Sequence, residues 1–391
     1  MPIINRIADF GADLTAWRRH LHMHPELAYE EVETASFVAE RLRAFGVDEV
    51  HEGIGKTGVV AVIRAGSSDR RIGLRADMDA LPIQEATGLA HASTRPGKMH
   101  ACGHDGHTTM LLGAARYLAE TRNFDGTVYL VFQPAEEGRA GARAMMEDGL
   151  FERFPVDDIY GLHNWPAMPT GSFAMCEGPA MAASDEFRVT VKGRGCHAAM
   201  PHMGLDPVVV TAQIVTGLQC IISRETDPLD NTVLSVTQIH TGHTFNVVPE
   251  EALLVGTVRS FKPETRDRIQ ARLGEVATGI AKSFGLEATV QYRRGYPPTV
   301  NHRREAAIGA AAAALVVGDD NVDRNPAPVM GAEDFAFMLE AVPGSYIWMG
   351  TGIGDSPALL HSQYYDFNDE ALPLGVSYWA KLVETRLARS A

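Results

Sequence analysis

Apolar and polar positions along the first half of the chain fall into two alternating textures. Residues 34–45 (TASFVAERLRAF) repeat apolar side chains at helical spacing, and Gly46 supplies a stop. GVVAVIRAG (58–66) and RIGLRAD (71–77) are short β-branched runs that end in polar turns and predict strands. HTTMLLGAARYLAE (107–120) returns to helical spacing, and GTVYLVFQPAEEG (126–138) is a nearly continuous apolar strand that runs into two carboxylates. RAGARAMMEDGL (139–150) is helical again, and DDIYGLHNW (157–165) is a strand with a histidine near its end. This alternation predicts an α/β fold, a mostly parallel sheet with helices on both faces.

The texture changes near Ala183. DEFRVTVKG (185–193) alternates like a half-exposed strand, and PVVVTAQIVTGLQCIISRE (207–225) is helical. Two strand patterns follow, TVLSVTQIHTG and ALLVGTVRSF, then a long amphipathic helix (264–285) and a last strand, ATVQYRRG. The order β-α-β-β-α-β predicts a compact α+β sandwich of the split-βαβ type. After the Pro-containing link YPPTVNH (296–302), helix and strand signals resume in AAIGAAAAALVV, EDFAFMLEAV and SYIWMG. The expected organisation is a discontinuous large domain, residues 1–183 and 297–391, with an inserted domain at 184–296.

Length and composition fit that picture. A chain of 391 residues, 45% hydrophobic and 21% charged, is long enough for two cores. A formal net charge of −14 disfavours nonspecific nucleic-acid binding. Four cysteines (Cys102, Cys176, Cys196 and Cys220) are too few for a disulfide scaffold. The start of the chain lacks an uninterrupted apolar targeting segment, and the apolar runs 306–317 and 208–222 read as buried helices shorter than a membrane span. A cytoplasmic location is expected.

The chemistry concentrates in MHACGHDGH (99–107). A C-x-H pair on a glycine-containing loop, Cys102 and His104, can aim a thiolate and an imidazole at one divalent ion, although a buried cysteine beside a structural histidine gives the same pattern. Glu136 and Glu137 are adjacent carboxylates after a buried strand. One division is a metal ligand and a general base; a solvated acidic turn is the alternative. His163 follows a strand on the same predicted edge, where ligands bind in open α/β sheets, and His361 lies in a polar turn. Five ligand-capable side chains exceed the four of a closed structural zinc site, which points to two metals sharing a bridging ligand.

RADMDALP, MHACGHDGH, QPAEEG, GLHNWP, HAAMPH, NVVPE and MGAEDF, in this order, resemble the bacterial hippurate hydrolase and N-acyl-amino-acid amidohydrolase family. These two-metal metallopeptidases are similar to plant auxin-conjugate hydrolases and more distantly to carboxypeptidase G and aminoacylase. The resemblance spans essentially the whole chain. It implies a catalytic α/β domain with an inserted lid and dimerisation domain, and hydrolysis of N-acylated amino acids, with a dipeptidase or exopeptidase as the alternative on the same scaffold.

Carried over by position, the resemblance makes Cys102, His104, Glu137, His163 and His361 the ligands of two divalent ions (zinc, manganese, cobalt or nickel) and Glu136 the general base. Asp77 matches an aspartate that, in related peptidases, supports a ligand histidine two residues earlier. Here that earlier position is Arg75, so the ligand set is completed by the Cys102/His104 pair. His197 matches a lid histidine that reaches the partner subunit's active site and stabilises the oxyanion. Relatives have glycine before it, where this chain has Cys196. Asn246 and Arg259 match positions that hold the substrate's carboxylate, a role suited to the bidentate fork of arginine. The implied partners are a small N-acyl amino acid and a second copy of the chain, with no nucleic acid and no membrane.

Overall fold

The computed structural model describes residues 4–352, 354 and 358–389. Contacts divide the chain into two units. One takes in the residues up to Ala180, Val300–Ala327 and those from Asp334 onward; the other comprises Met181–Thr299 and Pro328–Glu333.

In the first unit, β1 (Glu49–Ile54), β2 (Gly58–Ala65), β3 (Arg71–Asp77), β4 (Gly126–Gln133), β5 (Asp158–Pro169), β6 (Phe173–Ala174), β7 (Val322–Asp323) and β8 (Gly344–Gly352) form one sheet. The strand order is β1-β2-β4-β3-β5-β8-β6-β7. The central strands β4, β3, β5 and β8 are parallel. Strands β1 and β2 add antiparallel pairings at one side, and β6 runs antiparallel to β8. Although β2 and β3 are joined by a short turn, β4 lies between them.

Two-residue periodicity sorts this sheet. Ile72, Leu74 and Ala76 of β3, Val128, Leu130 and Phe132 of β4, Tyr160 and Leu162 of β5, and Ile347 and Met349 of β8 enter one apolar core. Helices α1 (Gly11–Met23), α2 (Val32–Phe45), α3 (His104–Thr121), α4 (Arg303–Val317) and α5 (Leu372–Arg386) complete it. The intervening positions Arg75, Gln133, Gly161 and His163 therefore take the opposite face. There Phe335 stacks beside Tyr346, and the short helices Gly141–Glu147 and Ala336–Ala341 pack on each other. Helix α2 ends where the sequence predicts, with Gly46 in the left-handed region at φ +76°. Helix α3 begins earlier than its apolar spacing suggests, because His104 to Thr109 are all buried.

The second unit is a four-stranded antiparallel sheet in the order Val233–Thr241, Glu251–Ser260, Ala183–Lys192, Glu287–Arg294. Helices Pro207–Cys220 and Pro263–Ser283 cover it, and Phe187, Val189, Val191, Ile214, Leu218, Leu254 and Leu273 fill the core. This is the split-βαβ order. Residues 328–333, which chain order assigns to the large domain, join this unit: the Ala182 N–H donates to Gly331 O at 2.9 Å. The helical stretch Pro207–Glu225 is 19 residues long, so it reaches the length of a membrane span that the apolar run alone falls short of. Val210, Ile214 and Leu218 nevertheless lie in the core, while Val208 and Val209 are exposed.

Candidate metal centre

The ends of β3, β4 and β5 place the candidate residues. Beyond Gly161, β5 runs past its pairing with β3, so His163 stands free of that neighbour at the sheet edge. Between β3 and α3 the chain passes through the cysteine loop. Its Gly103 has φ +91°, and a Cβ there would lie 2.3 Å from Asn164 Oδ1, so only glycine fits between Cys102 and His104.

Cys102, His104 and His163 present ligand atoms within 4.8 Å of one another, as do Cys102, Glu137 and His361, and His104, Glu136 and Glu137. Cys102 Sγ is 3.5 Å from His163 Nε2, and His361 Nε2 is 3.2 Å from Glu137 Oε1. All five expected ligands and Glu136 thus meet in one region of the first unit.

Hydrogen bonds decide which imidazole nitrogens face the cluster. His104 Nδ1 donates to the Asp79 carbonyl at 2.9 Å, and His163 Nδ1 donates to the Asn164 carbonyl at 2.7 Å. His104 Nε2 is buried without a hydrogen-bond partner among the described residues, and Glu137 Oε1 meets only His361 Nε2, at 3.2 Å. Unpartnered buried polar atoms are costly. Electrostatics points the same way. Burial would push the His104 imidazole down, but Asp77, Asp79 and Glu137 raise it to about 10. Burial, reinforced by Glu137, Glu136 and Asp77, holds the Cys102 thiol well above its usual range. Burial and His107 hold the His163 imidazole well below its own. Buried carboxylates beside a thiol and an imidazole nitrogen with no partner fit divalent cations held by thiolate, imidazole and carboxylate.

Asp77 is not among the atoms nearest Cys102. Its Oδ1 accepts from His107 Nδ1 at 2.6 Å, and its Oδ2 accepts from Arg75 at 2.8 Å. Burial raises the Asp77 carboxyl, but His104, His107 and Arg75 hold it well below the usual range. Arg75 also donates to Gln133 Oε1 at 2.7 Å and Asp334 Oδ1 at 3.1 Å. Its guanidinium is fully buried and puts a fixed positive charge between Asp77 and Asp334.

In the second unit, His197 and Asn246 are exposed and adjacent: His197 pairs with Val247, and the Ala198 N–H donates to Asn246 O at 3.0 Å. Cys196 adopts ordinary strand pairing with Val248, and its Sγ occupies space left by Gly204, where a Cβ would come within 2.5 Å. Arg259 is not with them. Asn246 precedes the strand Glu251–Ser260 and Arg259 lies near its far end, about 27 Å along it at 3.4 Å per residue. One copy of this unit cannot bring both to one small carboxylate.

Sequence reasoning missed Asp79, Glu31 and a buried ionic cluster around Arg18 and His22. Asp79 was within reach, since it stands two residues after Asp77 in RADMDALP; Glu31 and Arg18 carried no local signal.

The chain has known relatives. Residues 73–385 match the model of peptidase family M20/M25/M40. A hippurate hydrolase of Campylobacter jejuni is 41% identical over 98% of this chain and 98% of its own length. An N-acetyl-L-cysteine deacetylase of Bacillus subtilis is 44% identical over 85% of this chain and 79% of its own. Among solved structures, a Bacillus subtilis dinuclear metal-binding peptidase from the M20 family superposes with a TM-score of 0.85 at 36% identity, covering 97% of this chain and 99% of that one. The protein belongs to peptidase family M20/M25/M40.

Proposed function

We propose that the protein is a metal-dependent amidohydrolase that cleaves the amide bond of N-acylated amino acids, releasing a carboxylic acid and a free amino acid. The observation that carries this reading is a buried carboxylate, Glu136, beside the ligand atoms of His104 and Glu137, in a chain akin to a hippurate hydrolase and an N-acetylcysteine deacetylase. Cys102, His104, Glu137, His163 and His361 hold two divalent ions of the zinc, manganese, cobalt or nickel class; a thiolate and imidazoles do not suit magnesium or calcium. Bound there, the ions would polarise the amide carbonyl and ease deprotonation of water. Glu136 takes the proton from the attacking water and delivers it to the leaving nitrogen. Asp77 keeps the His107 side of the cluster fixed and negative.

The separation of Asn246 from Arg259 bears on assembly. If both hold one substrate carboxylate, they come from different copies, and His197 travels with Asn246. The protein then works as a homodimer in which His197 of one copy stabilises the oxyanion formed in the other. Phe245, 97% exposed beside Asn246, and Ile239 on the edge strand Val233–Thr241 are apolar surface of the kind that a second copy covers.

The test is elemental analysis coupled to turnover on hippurate, N-acetyl amino acids and dipeptides. Two transition-metal ions per chain and hydrolysis of the acylated substrates are expected. Preference for dipeptides would favour the exopeptidase reading, which kinship to the M20 peptidase structure keeps in view. In the same assay, Glu136→Gln should retain both ions and lose about 10²–10⁴-fold in turnover, the usual worth of a general acid–base group. Parent-like turnover in that variant would remove Glu136 from the role of base.

A further inference from the structure

Three consecutive backbone N–H groups, those of Ala135, Glu136 and Glu137, each donate to an oxygen of a buried carboxylate. Ala135 N donates to Glu31 Oε1 at 2.8 Å, Glu136 N to Asp79 Oδ1 at 3.0 Å and Glu137 N to Asp79 Oδ2 at 3.0 Å. Glu31 is fully buried and Asp79 is 1% exposed. Each acid is anchored in turn. Glu31 Oε2 accepts from Thr57 Oγ1 at 2.7 Å, and the Asp79 carbonyl holds His104 Nδ1 at 2.9 Å, with Asp79 Oδ1 only 3.3 Å from the same nitrogen.

The loop they grip is one that the backbone does not choose by default. Ala135 and Ala140 both have φ +57°, the left-handed region that disfavours residues with a Cβ, and Glu137 departs from helical angles at φ −69°, ψ 80°. Placing two more carboxylates next to Glu136 and Glu137 also adds negative charge to an acidic region, where neutral acceptors would cost less. What a carboxylate adds is two acceptor oxygens at fixed separation, so that Asp79 sets the spacing of two adjacent amides with one side chain.

We propose that Asp79 and Glu31 are positioning residues that clamp the 135–137 backbone and so aim the Glu136 carboxylate as the base. This rests on the reading of Glu136 as the general base. Neither acid touches substrate or the reacting atoms; both act through the main chain that carries Glu136.

Asp79→Asn keeps size but loses one acceptor, so one amide is released. In the metal-loaded enzyme, kcat should fall about 10²-fold, the cost of a small misplacement of a reacting group, with KM changed less than about threefold and both ions retained. Glu31→Gln keeps an acceptor for Ala135 and should lose less. The decisive readout is the double variant: in a Glu136→Gln background, Asp79→Asn should cost less than about threefold, because aiming an absent base gains nothing. Multiplicative losses, or a single Asp79→Asn variant within about threefold of the parent while Glu136→Gln is inactive, would overturn the proposal and leave the base assignment standing. An active Glu136→Gln would instead overturn the base assignment. Should Asp79→Asn fail to fold, hydrogen exchange on the unaltered protein decides. The amides of residues 135–137 should exchange at least about 100-fold more slowly than those of Gly138 and Arg139, and equal rates would refute the clamp.

Discussion

MHACGHDGH feeds two buried clusters of opposite character. On one side, Cys102 and His104 join His163, Glu136, Glu137 and His361, and His104 Nε2 lacks a partner among the described residues. On the other, Asp105 accepts from His22 Nδ1 at 2.8 Å, and His22 Nε2 meets Glu85 Oε1 at 3.4 Å. Arg18 donates to Asp369 at 2.6 Å and Asp366 at 2.7 Å, with His91 beside it. This second cluster is as rich in histidine and carboxylate as the first, but its charges are paired with one another. Composition therefore does not distinguish a functional cluster from a structural one, and neither does one unpaired atom, since both ring nitrogens of His100 beside His22 also lack partners among the described residues; what differs is how the charges are paired.

The sharpest separation is metal removal. Chelation, or Cys102→Ser, should abolish activity, with at least about a 10²-fold loss at saturating substrate, and the chelated protein should recover on adding zinc or cobalt. Secondary structure followed by circular dichroism should persist, because the apolar core does not depend on these side chains. Loss of the folded signal on chelation would make the first cluster structural like the second.

Arg18→Met reverses the test. It removes a fully buried guanidinium, leaving Asp105 to His22, Asp366 to His91 and Asp369 to Arg19, and should cost up to about 3–5 kcal/mol in denaturant unfolding, the range for breaking a buried ion pair. Metal stoichiometry and KM of the surviving folded fraction should stay at parental values. A specific loss of metal would show that the two clusters are one.

Asp77 lies at the boundary, paired with Arg75 and His107 and facing His104 at 3.8 Å. Asp77→Asn should weaken metal affinity by about 10–100-fold, the range found for partners of metal ligands, with a smaller effect on stability than Arg18→Met. Isothermal titration of the metal-free protein reads this directly.

How much of this was legible beforehand depends on the range of the interaction. The helix ended by Gly46, the alternating strand at 185–192 and the apolar β4 are local patterns, and the structure has each of them. Pairing is another matter. The insertion of β4 between β2 and β3, and the grip of Arg75 on Asp334, 259 residues away, are products of topology. Within the cysteine motif, Asp105 bonds His22 and His107 bonds Asp77, partners that no local pattern named. The reading of Asn246 and Arg259 as joint holders of a carboxylate overlooked that one strand separates them within a chain.

The least disruptive probe of the contrast is pH. Burial and Arg18 push the His22 imidazole down, but Asp105 and Glu85 carry it up to about 9. Unfolded, the same group titrates near 6.5. Between those values the folded protein binds the extra proton, so stability falls as pH rises. The contribution is complete below about pH 6.5 and gone above about pH 9, a loss of roughly 3–4 kcal/mol. Urea unfolding of the metal-loaded protein at intervals from pH 6 to 10 should show that decline, and His22→Asn should flatten it while lowering stability at the acid end. At low pH the sign inverts: Glu85 is held down to about 2 against burial by His22, so its share is present above about pH 4.3 and vanishes on acidification. The His22 share is the difference between parent and His22→Asn at one fixed metal loading, because His104, raised to about 10 in the metal-free protein, adds its own slope when the ions are removed. An equally steep decline in His22→Asn would mean that the proton is bound elsewhere than in this cluster.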